Sequence, residues 1–571
     1  MEPRKGLESE EPRRSFCAEG HEDAVEKSDE AAAFLPGSEK NSARSHKPSA
    51  RKPGDLTDGS LPMVDGEQRG EGPESHEPEK YIGEESDEPI VPGKPANSRV
   101  TPEESVEGRG EAKGKPVDRN AVRTQDRETA LTNVERVGER AKEKKQEKFT
   151  TLLSHIKVPL LKEAYQRLRK DAAPGVDGET WESYGEGLEE RLLDLQDRVH
   201  RGSYHPQPVR RVHIPKGDGH TRPLGIPSLE DKIVQQAARM LLEPIYENSE
   251  FLGFSYGYRP GRSQHGALDA LYVALHRKVK WVLDADIRSF FDTIDHDWMQ
   301  KFLEHRIGDR RMVRLLMKWL HAGVMEEGKL HEVKAGTPQG GIISPLLANI
   351  YLHYVVDLWV QQQRKKVARG QVYIVRYADD LVMGFQFEED ARAMLTALAE
   401  RLSKFGLELH PDKTRVLRFG RFAREDAPKD GRTKPETFDF LGFTHISGEG
   451  QGGEYRLIRR TSRKKRIAKL RMLAGQLRQR RHEPVAEQHH WLTAVVRGHY
   501  HYYAVPGNYR ALRTFCRQVR NAWHAGLQRR SQRAHWTQEK RARFERRFPL
   551  PTPRIIHPHP FRRFDAQRAH R

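Results

Sequence analysis

Residues 373–385 read YIVRYADDLVMGF, an apolar, strand-forming run broken by two adjacent carboxylates, Asp379 and Asp380. The pattern predicts a β-hairpin, with strand 372–377, a tight turn at Ala378-Asp379-Asp380 and strand 381–385. Like charges side by side in an apolar run are unfavourable unless a cation binds them. The bland alternative is a polar turn projected into solvent, for which Asp is a common choice. Asp286 argues against it, because it lies in "WVLDADI" (281–287), which reads as a buried strand where a turn explanation fails. Three carboxylates from two strands can hold a pair of Mg²⁺ ions, one activating an attacking 3′-hydroxyl and the other neutralising a leaving pyrophosphate.

Charge is unevenly spread along the 571 residues, whose net charge is +18. Residues 1–120 hold 18 Lys/Arg and 28 Asp/Glu, whereas residues 456–571 hold 30 Lys/Arg and 5 Asp/Glu, a net of +25. That excess exceeds what a solvated face needs and points to a polyanion, nucleic acid rather than membrane, since no long apolar run or targeting segment is present. Cys17 and Cys516 are far apart and unlike in context, which argues against a disulfide framework or Cys-rich zinc site and fits a reducing cytoplasm.

Residues 1–125, rich in Glu, Gly, Ser, Pro and Lys, bury too little apolar surface to offset chain entropy and are expected to be disordered. From about 126 the composition turns helical, and 150–250 reads as helices plus one hairpin around Lys216-Gly217-Asp218-Gly219. "GGIISPLLANIYLHYVVDLWV" predicts a helix with Ser344 as N-cap and Pro345 at its first position. "ARAMLTALAERLSKFG" predicts an amphipathic helix, "TFDFLGFTHI" a strand, and the chain after 460 is helical and basic. Strands and helices mixed in this order give an α+β sheet domain.

Two well-known patterns occur without their structural context. Gly253-Phe254-Ser255-Tyr256-Gly257 fits a hydrolase nucleophile elbow, but the helix-averse "YRPGRS" follows it. Gly448-Glu449-Gly450-Gln451-Gly452-Gly453 fits GxGxxG but joins two strand-like runs, so it reads as a hairpin turn. His499 and His501 lack neighbouring Cys or carboxylate ligands and read as packing or RNA-contact residues.

Tyr377-Ala378-Asp379-Asp380 resembles the YxDD box of reverse transcriptases, and Asp286 the first aspartate of their palm. The blocks "AAPGVDGETW", "IPKGDGHTRPLGIPSLEDKIVQQA", "GYRPGRSQHGAL", "GTPQGGIISPLLANIYL", "GLELHPDKT" and "FDFLGF" follow in the order seen in bacterial group II intron-encoded reverse transcriptase/maturases. The resemblance covers roughly 150–571. It implies a right-hand polymerase fold, with N-terminal extension and fingers over 126–275, palm over 276–450, and a basic helical thumb/maturase domain over 451–571. It further implies metal ligation by Asp286, Ile287, Asp379 and Asp380, with Mg²⁺ (two ions, Mn²⁺ as substitute). Lys216 and Arg222 would grip the triphosphate. Phe291, five residues after Asp286, would collide with a ribose 2′-hydroxyl and select dNTPs. Pro338-Gln339-Gly340 would form the loop beside the nascent base pair, Tyr377 would bind substrate, and Lys413 would protonate pyrophosphate.

"HHWLTAVVRGHYHYYAVPGNYRALRTFCRQVRNAWHAGLQRRSQR" resembles the maturase domain, and "FPLPTPRIIHP" the end of members lacking an endonuclease. Basic residues interleaved with Tyr500, Tyr502, Tyr503, Tyr509, Trp523 and Trp536 suit RNA, although helical spacing makes any one ring as readily a core residue. The implied function is an RNA-directed DNA polymerase (a nucleotidyltransferase) that binds its group II intron RNA, assists splicing and supports mobility by copying from a primer in target DNA. Two alternatives remain open at this stage: a host-adopted relative in repair or phage defence, and a silent RNA-binding splicing factor. Deleting residues 1–120 is predicted to leave primer extension on an RNA template within about twofold of the full chain; a collapse of extension in that assay would assign the segment a role.

Overall fold

The computed structural model describes residues 119–561 apart from 216–220, 327–328, 332–334, 338 and 532–535. The acidic segment 1–118 and the hairpin tip with Lys216 lie outside the described residues, as does Pro338. Helix Arg119–Glu143 begins within the stretch expected to lack structure, seven residues ahead of the boundary set at 126. It docks on helix Leu229–Ser249, with Asn248 donating to the Gly138 carbonyl (3.0 Å). Gly138 is small for a reason: a Cβ there would lie 3.0 Å from that of Pro244.

Strands β1 (Val209–Pro215) and β2 (Thr221–Ile226) form the expected antiparallel hairpin. Next comes β3 (Trp281–Ala285), shorter than the 281–287 read from sequence because the chain leaves the ladder just before Asp286. Strands β4 (Val324–Glu326) and β5 (Lys329–His331) pair with each other, and β4 runs parallel to β1. Strands β6 (Val372–Tyr377) and β7 (Asp380–Phe385) are the hairpin of the YADD stretch. Strand β8 (Arg415–Arg418) pairs with β3, giving a four-stranded antiparallel sheet in the order β6-β7-β3-β8.

The pleat sends alternate residues of this sheet into two cores. Leu283, Leu381, Met383 and Phe385 pack with helices Ser344–Leu352 and Glu388–Ser403. Val282 and Val382 face the other way, with Leu268 and Leu271 of helix Gln264–Leu275. Helix Ser344–Leu352 differs by one residue from expectation. Ile343 is its N-cap, and the Ser344 hydroxyl accepts from Thr337 Oγ1 (2.9 Å) instead of capping.

"TFDFLGFTHI" is two strands and not one: β9 (Thr437–Phe440) and β10 (Phe443–Glu449) fold back at Leu441-Gly442, both with positive φ. Strand β11 (Tyr455–Thr461) completes a β11-β10-β9 sheet, and the Gly-rich 448–453 stretch is its hairpin turn. That sheet crosses the boundary drawn at 450, and the β1–β4 pairing crosses the one at 275.

Helices Arg463–Gln479, Val485–Tyr503, Tyr509–Gln528 and Gln538–Arg547 follow. Their core takes up Tyr500 and Trp523, which therefore have no face for RNA. His499 stacks on Phe515 at 3.6 Å, and burial followed by the charges of Lys469 and Arg466 pushes its pKa down to about 3. It is a packing residue. Residues 549–561 then run back along the molecule. Ala504 accepts from the amides of Ile556 and His557, His557 stacks on His265 at 3.9 Å, and His559 meets the Tyr272 hydroxyl at 3.1 Å. Among the described residues no helix is long and apolar enough to cross a membrane.

Candidate active site

The register of β3 against β7 decides what meets what. Ala285 lies opposite Leu381 and Leu283 opposite Met383, and just past the last pair the Asp286 and Asp380 side chains come within hydrogen-bonding reach of each other. Asp284, Asp286 and Asp380 then share one face of the sheet, with Asp379 in the adjoining turn. All four carboxylates are half-buried, not projected into solvent as a polar turn would have them. The turn is held under the neighbouring chain: a Cβ on Gly257 would lie 2.3 Å from the Ala378 amide nitrogen.

Ala378 has φ +57°, a left-handed conformation that disfavours a side chain by about 1 kcal/mol or more. Its carbonyl accepts from Arg376 Nη1 (2.9 Å). Arg376 is fully buried, and its Nε and Nη2 donate to the two carboxylate oxygens of Asp357 at 2.6 Å each. Asn349 accepts from the same guanidinium (3.1 Å) and donates to the Gly257 carbonyl (2.7 Å). Asp357 ends a π-helical turn, His353–Asp357, which interrupts the helical run between Leu352 and Leu358. A wider turn of this kind often marks a functional site.

Burial first, then the charges of Asp379, Asp286 and Asp284, push the Asp380 pKa up to about 7. Asp284 is likewise raised to about 7 by burial, despite Arg415 at 3.9 Å. Burial and the Asp286 charge raise Asp379 as well, against the pull of Arg222 and Lys413. A carboxyl raised in the folded state supports the fold while protonated and penalises it as pH climbs through its folded pKa. The cluster is therefore short of positive charge. Lys413 supplies one, donating to Asp286 Oδ2 at 2.6 Å from an exposed position. Among the described residues no three His, Cys, Asp or Glu side chains converge into a preformed metal cage. The hard oxygen donors, with Lys413 on one of them and the cluster still under-neutralised, fit divalent cations in chemistry.

The other expected residues surround this cluster. Ile287 is buried and bridges Leu409 by its backbone. Phe291 is 8% exposed, edge-on to Phe290, and its carbonyl accepts from Thr337 N (2.7 Å). Tyr377 is half-buried opposite Asp380. Arg222 donates to Gln339 Oε1 (2.9 Å), and the Gln339 carbonyl accepts from Gly225 N (2.6 Å). Gly340 has φ +124°, and a Cβ there would lie 2.4 Å from the Gly225 carbonyl oxygen. A cleft of about 780 Å³ runs on from the carboxylates, lined by Asp284, Lys413, Arg415, Arg463 and Lys464 among others.

Sequence reasoning missed Asp284, Tyr258 and the Arg376–Asp357–Asn349 group. Signals existed: Asp284 and Asp286 alternate along one strand, and Arg376 and Asp357 are each a lone charge in an apolar run. The serine of the apparent nucleophile elbow, Ser255, is fully buried beside Arg376 and bridges it as backbone.

Residues 214–445 match the family described as "Reverse transcriptase (RNA-dependent DNA polymerase)", a span containing all the carboxylates above. Protein YkfC of Escherichia coli is 36% identical over 319 residues, which cover 50% of this chain and 79% of YkfC. The group II intron-encoded protein LtrA of Lactococcus lactis is 38% identical over 238 residues, 41% of this chain and 39% of LtrA. The mitochondrial nuclear intron maturase 3 of Arabidopsis thaliana is 26% identical over 181 residues, 28% of this chain and 25% of that protein. The chain belongs to the reverse transcriptases, RNA-directed DNA polymerases. It spans well under half the length of LtrA and of the plant maturase.

Replacing Arg376 by Met would strand the buried Asp357 carboxylate and cost about 3–5 kcal/mol. Arg376→Met with Asp357→Leu is expected to recover most of that stability but not the bond to Ala378, so calorimetry should show near-native melting while primer extension stays down about 10²-fold. Native extension by the double variant would dissociate the buried pair from the site.

Proposed function

We propose that this chain extends a DNA primer on an RNA template at the Asp286–Asp379–Asp380 cluster, and that it binds group II intron RNA to assist splicing and intron mobility. The observation that carries the polymerase reading is the register that draws Asp286 and the Asp379–Asp380 turn to the ends of neighbouring strands. Asp286, Asp379 and the Ile287 carbonyl would hold two Mg²⁺ ions, with Asp380 completing the acidic cluster. When bound, they supply Lewis acidity toward the primer 3′-hydroxyl and charge neutralisation at the departing pyrophosphate. Arg222 and Lys216 of the β1–β2 hairpin grip the triphosphate. The Phe291 ring closes the space beside the sugar and so favours dNTPs. Gln339 and Gly340 brace the hairpin from behind, and Tyr377 borders the base pair. Lys413, once released from Asp286, is a proton donor within reach of pyrophosphate.

Intron RNA is the reading for the basic C-terminal helices. Arg510, Arg513 and Arg517 are exposed at helical spacing on one face of helix Tyr509–Gln528, and Arg463, Lys464, Lys465, Arg471 and Arg478 are exposed on helix Arg463–Gln479. LtrA carries the group II intron in its name, and the Arabidopsis relative is a maturase, which supports this assignment. Target DNA enters as the source of the primer. The charge on these helices, and not any single ring, is the binding determinant.

Asp379→Ala and Asp380→Ala are each expected to lower RNA-templated primer extension by at least about 10³-fold while leaving RNA-assisted splicing intact. Extension unchanged by either substitution would refute the site. RNA affinity is expected to fall steeply with salt, and charge-neutral substitution of Arg510, Arg513 and Arg517 together should reduce the slope of log K against log salt by about 2–3; filter binding across a salt series reads this, and an unaltered slope would remove this helix face from the interface.

A further inference from the structure

Tyr258 is locked into a conformation its side chain disfavours, and the chain on either side explains how. On one side Gly257 is jammed against the Ala378 amide, with its carbonyl held by Asn349. On the other, Arg259 is buried and donates to the carbonyls of Leu252 (2.6 Å) and Ser255 (2.7 Å) while pairing with Glu247 (2.8 Å). Between these anchors Tyr258 has φ +57°. Glycine would fit this backbone without penalty, yet the position carries a large aromatic ring that is 50% exposed. Among the described residues no hydrogen bond or ring contact engages that side chain.

A half-exposed ring with no hydrogen bond or ring partner offsets little of the backbone strain that glycine would relieve. Strain of this kind is retained where the displayed group has work outside the chain. The location says which work. Gly257, packed on the Ala378 amide, sets Tyr258 beside the Ala378–Asp379 turn with half of the residue exposed, and burial first, then the Asp379 charge, raise its hydroxyl pKa.

We propose that the Tyr258 ring packs against the base and sugar of the incoming deoxynucleoside triphosphate, whose phosphates Arg222 grips. The inference rests on the polymerase reading above and adds a contact to it. The ring is the working part, and the hydroxyl only adds polarity at its edge.

The test compares Tyr258→Phe, Tyr258→Ala and Tyr258→Gly in primer extension on an RNA template, with dNTP concentration and template–primer concentration varied separately, alongside thermal melting. Tyr258→Phe should keep the KM for dNTP within about twofold of wild type. Tyr258→Ala and Tyr258→Gly should each raise it about tenfold with kcat changed less than about threefold, as expected when binding of the ground and transition states is lost alike. Tyr258→Gly should also melt above Tyr258→Ala by about 1–2 °C, because it alone relieves the backbone. An unchanged KM for dNTP, or a rise confined to the KM for template–primer, overturns the proposal, the latter assigning the ring to the duplex. Wild-type protein that fails to extend any primer would instead overturn the polymerase reading itself.

Discussion

The buried guanidinium of Arg376, gripped at two points by Asp357 and reaching up to the Ala378 carbonyl, is the contact on which the geometry of the acidic turn depends. A hairpin turn with a left-handed alanine at its tip and two adjacent acids has no local reason to hold still. The ion pair provides one from below, and Gly257 provides a second from the side by leaving no room above the Ala378 amide. Desolvating two charges is expensive, and an apolar pair of the same shape would stabilise the fold as well or better. What the charged pair adds is direction: a planar fork fixes both the carboxylate below it and the carbonyl above it.

The same logic runs through the acidic cluster. Protein alone leaves Asp284, Asp379 and Asp380 harder to ionise than ordinary aspartates, with Lys413 as the nearest full counter-charge. A fold optimised for stability in the absence of ligands would not place four acids on the ends of two neighbouring strands. Acids crowded in this way, with pKa values raised by burial and by one another, are characteristic of functional sites.

Much of this was legible in the chain. The hairpin at 372–385 announced itself through alternation, and the helices after 460 through their period. The failures have physical causes. Two strands were read as one across Leu441-Gly442 because that turn carries no polar signal and depends on two left-handed residues, one of them leucine. Asp357 and Arg376 are 19 residues apart and meet only because a π-helical turn rotates the first toward the second, which no local pattern encodes. Trp523 and Tyr500 sit in an arginine-rich stretch, and the helical spacing that kept any one ring from being assigned to RNA does turn both inward.

The parallel pairing of β1 with β4 and the seating of Gly340 on Gly225 join the fingertip hairpin to the glycine-rich loop behind it. The hairpin and the loop therefore share one set of backbone contacts, so that a substitution at either end bears on where the other sits.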